Sequence, residues 1–142
     1  KVSGILTEMS AQADYVNHIV VGIGINVHME EFPEELQNTA TSIFLELGVK
    51  INRAALIERI CEYFEAYFDV FLRTEDLSAM AKQYDAYMVN RNQPVKVLDP
   101  KDTYEGTARG ITTRGELLVD TWECRRLVSS GEVSVRGLYG YV

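Results

Sequence analysis

The sequence predicts an α+β chain: part of a mixed or antiparallel sheet backed by helices, followed by a small β-barrel. Three observations carry this. Two strand-like segments, KVSGILTEM (1–9) and DYVNHIVVGIGINVHM (14–29), stand close together at the start. A stretch of helical periodicity fills residues 53–73. After Asn90 the texture changes to short strands separated by turn residues, so the domain reading is 1–91 and 92–142.

The first two strands are joined by a short polar turn around Ser10–Ala13, which favours an antiparallel pair. The acidic EEFPEEL (30–36) reads as a loop. TSIFLELG has a Thr/Ser start and a glycine just past its end, the start and stop signals of a short helix. Residues 53–73 place Leu56, Ile60, Phe64, Tyr67 or Phe68, and Phe71 at three-to-four spacing, with Asn52 as N-cap. That stripe reads as core. A second helix, about 76–89, carries Leu77, Met80, Tyr84 and Met88 on one face. PVKVLD, TYEGTARGIT, GELLVDT and GEVSVRGLY then read as strands, with turns at Asp99-Pro100 and Arg114-Gly115.

Composition narrows the function. The chain has 142 residues, 46% hydrophobic and 25% charged, which supports a sizeable core. Its net charge of −7 repels phosphate backbones, so nucleic-acid binding is not expected of it. Cys61 and Cys124 are far apart without metal-ligand spacing, and read as thiols in a reducing compartment. The longest apolar run, residues 19–27, is about half of what a membrane-spanning helix requires, so no membrane partner is expected and a cytoplasmic location is the default. The chain enters a strand pattern at Lys1 without a methionine, and is expected to be the later part of a longer protein.

VVGIGINV (20–27) is unusual for a strand. Glycine in a strand interior costs entropy and packs nothing, so it marks a bulge or a close approach. Val21, Ile23, Ile25 and Val27 share one face and would pack on helices; Val20, Gly22, Gly24, Asn26 and His28 share the other. Gly22 and Gly24 either let another element pack closely or floor a small-molecule site. A dinucleotide-binding turn is rejected, because position 27 is valine and no helix comes directly after it. In KVSGILTE, Val2, Gly4 and Leu6 share a face. Which faces meet is left open, because a bulge would reverse them.

KVSGILTE followed by VVGIGINV resembles the second half of the catalytic domain of bacterial biotin protein ligases, whose fold is related to class II synthetases. TSIFLELG, RNQPVKV, GTARGI and SGEVSVRG come in that family's order, and the resemblance covers essentially the whole chain. It implies an ATP-dependent ligase that makes biotinyl-5′-adenylate from biotin and ATP, with Mg²⁺ expected. The biotin then passes to a lysine of a biotin carboxyl carrier domain on acetyl-CoA carboxylase or a related carboxylase. The C-terminal module would be an SH3-like barrel.

Activating a carboxylate with ATP brings two anions together, which calls for a fixed cation in a shielded site. A lone lysine is ordinarily a solvated charge. By resemblance, Lys1 matches the family's K-x-x-G-I-L lysine as the catalytic residue, holding biotin's carboxylate and then the adenylate phosphate. Gly4 would leave room beside the ligand, Gly22 and Gly24 would floor the biotin pocket, and Asn26 would meet the adenylate. Glu132 and Arg136 of GEVSVR would engage nucleotide and carrier; a surface ion pair is the alternative. His18 and His28 read as ordinary surface or core histidines, and no metal ligands stand out.

The family's glycine- and arginine-rich loop and the first half of its central sheet precede the matched lysine and lie outside these 142 residues. No winged helix is included either. The resemblance therefore implies half an active site, inactive by itself. Two rivals stand: a lipoate–protein-ligase-like enzyme, with the same architecture and activating lysine, and a non-catalytic ligand-binding or dimerisation domain. A homodimer is compatible with either.

Overall fold

The computed structural model describes residues 1–12, 14–129 and 134–138. By internal contacts the chain divides into two compact units, Lys1–Cys61 and Glu62–Val142.

The first unit is built on an antiparallel pair, β1 (Ser3–Ala11) and β2 (Val16–Ile25), as the short turn predicts. Three backbone bonds tie the segment after β2 to this end of the pair. Asn26 N–H donates to Val2 O at 2.9 Å, Ile43 N–H to Asn26 O at 2.9 Å, and Thr41 N–H to Lys1 O at 3.1 Å. The acidic loop holds one turn of 3₁₀ helix, Glu34–Leu36. Helix α1 (Ile43–Leu47) starts and stops where its signals say. Ser42 caps it, its Oγ accepting from Leu45 N–H at 3.2 Å, and Gly48 ends it in the left-handed region at φ 70°. The Ser42 hydroxyl is fully buried and also donates to Met29 O at 2.5 Å, so one side chain both starts the helix and pins the loop after β2.

Helix α2 (Arg53–Thr74) is capped by Asn52, whose Oδ1 accepts from Ala54 and Ala55 N–H at 2.9 and 3.3 Å. The division between units falls inside it. Its first turns bring Leu56, Ile57 and Ile60 opposite Ile23, Ile25 and Val27 across an apolar groove of about 300 Å³. This is the helix-facing side expected of β2, although Val21 and Ile23 stay exposed. The aromatic stripe departs from its core reading. Phe64, Phe68 and Phe71 are all exposed, and Phe64 and Phe68 stack on each other at 5.9 Å instead.

The second helix is shorter than its periodicity suggests. Glu75 takes φ 55°, and Asp76 accepts from Ser78 N–H at 2.8 Å, so the chain turns before α3 begins at Ala81 and ends at Tyr87. Local side-chain bonding wins over helix continuation. Asp85 of α3 then serves the sheet: its Oδ1 accepts from Ile111 N–H at 3.1 Å.

The sheet of the second unit comprises β3 (Pro94–Leu98), β4 (Tyr104–Ile111), β5 (Leu117–Asp120), β6 (Arg125–Val128) and β7 (Ser134–Gly137), in the order β6-β5-β4-β3-β7. All pairings are antiparallel. Its core is Val95, Val97, Ala108 and Val119, with Met88, Tyr104 and Val135 packed around it. The turns at Asp99 and Gly115 form as expected, with Lys101 N–H donating to Asp99 Oδ1 and Gly115 at φ 81°.

One part of the expected fold class is overturned. The first sheet is antiparallel, within the expectation, and has two strands among the described residues. The C-terminal module is an open five-stranded sheet, not an SH3-like barrel. A barrel closes only when its outermost strands pair, and the edge strands β6 and β7 do not pair among the described residues. The architecture is α+β, with a two-stranded and a five-stranded antiparallel sheet backed by helices.

Candidate functional site

The register of β1 on β2 decides which faces meet. Gly4 lies opposite Gly24 and Leu6 opposite Gly22. Directly opposed residues in an antiparallel pair share a face, so the three glycines form one bare patch of backbone. A Cβ on Gly22 would meet only the Leu6 carbonyl oxygen, at 3.7 Å, and one on Gly24 only the Gly4 carbonyl oxygen, at 3.9 Å. Among the described residues nothing from the chain packs onto these two glycines. Their missing side chains leave open space.

Over the end of this patch lies Lys1. Its Nζ and Cε come within 3.3 and 3.4 Å of where a Gly4 Cβ would stand, so the ammonium is laid across the glycine. The Lys1 main chain is tied to the loop before α1: its nitrogen donates to Thr39 O, and its carbonyl oxygen accepts from Thr41 N–H. The root of this side chain is therefore anchored on both sides of its Cα.

Asn26 stands at the end of the patch. Its Nδ2 donates to Thr41 O at 3.1 Å, so part of its amide is committed to the same loop. Lys1, Asn26 and the Thr39–Thr41 segment thus form one hydrogen-bonded corner beside the glycines. The residues flanking the patch are apolar and open, with Leu6 65% and Val20 52% exposed. A ligand with a flat or extended apolar body and one anionic end fits this combination. The chain's part would be to supply contact area along the backbone and one fixed positive charge at the end.

Lys1, Gly4, Gly22, Gly24 and Asn26 are brought together in the first unit. Arg136 lies in the second, exposed on β7 opposite Lys96 of β3. Glu132 lies outside the described residues. His28 is engaged structurally, its Nε2 2.9 Å from Ile51 O. Sequence reasoning missed Thr39 and Thr41 as supports of the lysine, because they act through backbone groups and leave no side-chain signal. Among the described residues no group of three or more His, Cys, Asp or Glu could hold a metal ion. No helix among them is long and apolar enough to cross a membrane.

The family model described as "Biotin protein ligase C terminal domain" matches residues 92–136. The bifunctional ligase/repressor BirA of Bacillus spizizenii is 33% identical over 137 residues, covering 95% of this chain. BirA of Salmonella typhimurium is 28% identical over 136 residues, covering 96%. The chain spans 42% of the length of each of these relatives. A biotin protein ligase from Aquifex aeolicus, solved in complex with biotin and ATP, superposes with a TM-score of 0.80 at 27% identity, over 96% of this chain and 56% of that one. In sequence and in fold, then, the chain is similar to bacterial biotin protein ligases over nearly its whole length.

Proposed function

We propose that the protein carrying this chain is an ATP-dependent ligase that forms biotinyl-5′-adenylate and transfers the biotinyl group to a lysine of a biotin carboxyl carrier domain. One observation carries the reading: the Lys1 ammonium lies over Gly4, at the end of a glycine patch whose space nothing in the chain fills among the described residues. The biotin and ATP held by the Aquifex aeolicus relative support it.

In the first step a carboxylate oxygen of biotin bonds to the α-phosphorus of ATP, and pyrophosphate leaves. Both reactants are anionic, and Lys1, its main chain anchored by Thr39 and Thr41, would offset their repulsion. The glycine patch would let the body of biotin lie on the backbone, holding its carboxylate at the lysine. In the second step the carrier lysine's amine bonds to the acyl carbon and AMP leaves. The nitrogen gives up a proton, and Lys1 would neutralise the departing phosphate. Asn26 would border the adenylate, with Glu132 and Arg136 engaging nucleotide and carrier from a C-terminal domain beginning at residue 92. The match over residues 92–136 supports that boundary, and a cytoplasmic location accords with a carboxylase partner.

The test is ATP–pyrophosphate exchange dependent on biotin, measured on the full-length protein. Lys1→Ala should remove most of the exchange while leaving circular dichroism and melting unchanged; an unaltered rate removes Lys1 from the chemistry. Competition between biotin and lipoate in the same assay separates this reading from a lipoate ligase.

A further inference from the structure

We propose that the five-stranded sheet carries a second recognition site, separate from the glycine patch: a cleft that docks an arginine- or lysine-bearing segment of a partner protein. The cleft measures about 550 Å³ and is lined by Asp102, Tyr104, Glu105, Trp122, Glu123 and Arg126, among others. None of these residues takes part in the ligase reading.

The chain itself shows what this lining holds. The Arg126 guanidinium lies 3.9 Å from the centre of the Tyr104 ring, and its Nη1 pairs with Asp102 Oδ2 at 2.7 Å. A guanidinium between an aromatic face and a carboxylate is thus already built into one side. The rest of the lining carries an aromatic ring and two carboxylates without a cation. Trp122 is 91% exposed, and neither Glu105 nor Glu123 makes an ion pair among the described residues.

The turn that carries Trp122 is tied at both ends. It lies between β5 and β6, where Thr121 N–H donates to Cys124 O at 2.9 Å and Cys124 N–H donates to Thr121 Oγ1 at 3.1 Å. An indole displayed on a tied turn costs little ordering when a ligand stacks on it. Three carboxylates face one guanidinium, so the cleft is net negative and repels phosphates. The complement is a cationic side chain that stacks on Trp122 and pairs with Glu105 or Glu123.

Trp122 is the chain's single tryptophan, so its fluorescence reports this cleft. Titrating the chain with a capped tetra-arginine peptide should give a saturable change in emission that weakens with salt; capped tetra-glutamate should give none. The double variant Glu105→Gln/Glu123→Gln should bind about tenfold more weakly. Glu34→Gln/Glu35→Gln removes the same charge from the first unit and should stay within about twofold of the parent. Trp122→Ala, followed by calorimetry, should lose affinity by a similar factor to the cleft double variant. The proposal is overturned if the basic peptide leaves the emission unchanged, or if both double variants weaken binding equally. The latter would mean diffuse attraction to an acidic chain. An equal response to tetra-glutamate, or an unchanged affinity in Trp122→Ala, overturns it as well.

Discussion

The Lys1 ammonium lies 3.3 Å from the point that a methyl group on Gly4 would occupy, which makes the glycine the seat of the lysine. The obstacle to a side chain there is the far end of a flexible one, so Gly4→Ala should displace the ammonium by a few tenths of an ångström without disturbing β1. Misplacing a charged group at a reacting centre is costly even when the fold is intact. The expectation for the full-length protein is biotin-dependent exchange reduced about tenfold, with a melting temperature within about 2 °C of the parent. Loss of melting instead of activity would make Gly4 a folding residue only.

Gly22 and Gly24 allow the packing and binding readings to be separated. Valine at either position meets one carbonyl oxygen at ordinary contact distance and otherwise open space. A β-branched residue in a strand should therefore stabilise the chain, by up to about 1 kcal/mol. The same side chain would occupy the floor of the biotin site. Stability and affinity should move in opposite directions, with biotin binding to the full-length protein weakened at least about tenfold by calorimetry. Destabilisation with affinity retained would restore the packing reading.

Gly110 is the structural counter-example. It adopts φ 145°, and a Cβ there would stand 2.6 Å from Asp85 Oδ2. Gly110→Ala should combine backbone strain with loss of the Asp85–Ile111 hydrogen bond, costing about 2–4 kcal/mol in denaturant unfolding. Adding Asp85→Ala should cost less than the sum of the two single changes, because the clash is shared. Additive losses would show that Asp85 and Gly110 act independently.

Asp120 sets an acid limit. Hydrogen bonds from Arg125 and Arg109, at 2.6 and 2.9 Å, hold its carboxyl at about 2, below the ordinary 3.8. A depressed folded-state pKa stabilises the fold above the unfolded value, and that contribution is lost as pH falls through the folded value. The chain should therefore melt above Asp120→Asn at neutral pH, and the difference should fade between about pH 4 and pH 2. A constant difference across that window would remove this ion cluster as its cause.

Much of the local architecture is legible in single short segments. Ser42, Gly48, Asn52, Asp99 and Gly115 occupy the caps and turns they advertise, because those signals act within a few residues. Strand β6 was hidden for an equally physical reason. Its sequence, RRLV, places Arg126 rather than an apolar residue on the less exposed side, and only Tyr104 and Asp102, distant in the chain, make that tolerable. The aromatic stripe of α2 has the spacing of a buried face, yet periodicity says nothing about whether a covering element is present.

By itself the sequence determined most of the strand and helix segments, the glycine-bearing strand, and the resemblance to biotin protein ligases. It did so because helix caps, turns and strand alternation are written in adjacent residues. Tertiary structure alone decided that Gly4 faces Gly24, that the Lys1 main chain is tied to Thr39 and Thr41, and that the C-terminal sheet is open among the described residues. Those outcomes depend on hydrogen bonds between segments far apart in the chain, where a shift of one residue would turn every side chain to the other face.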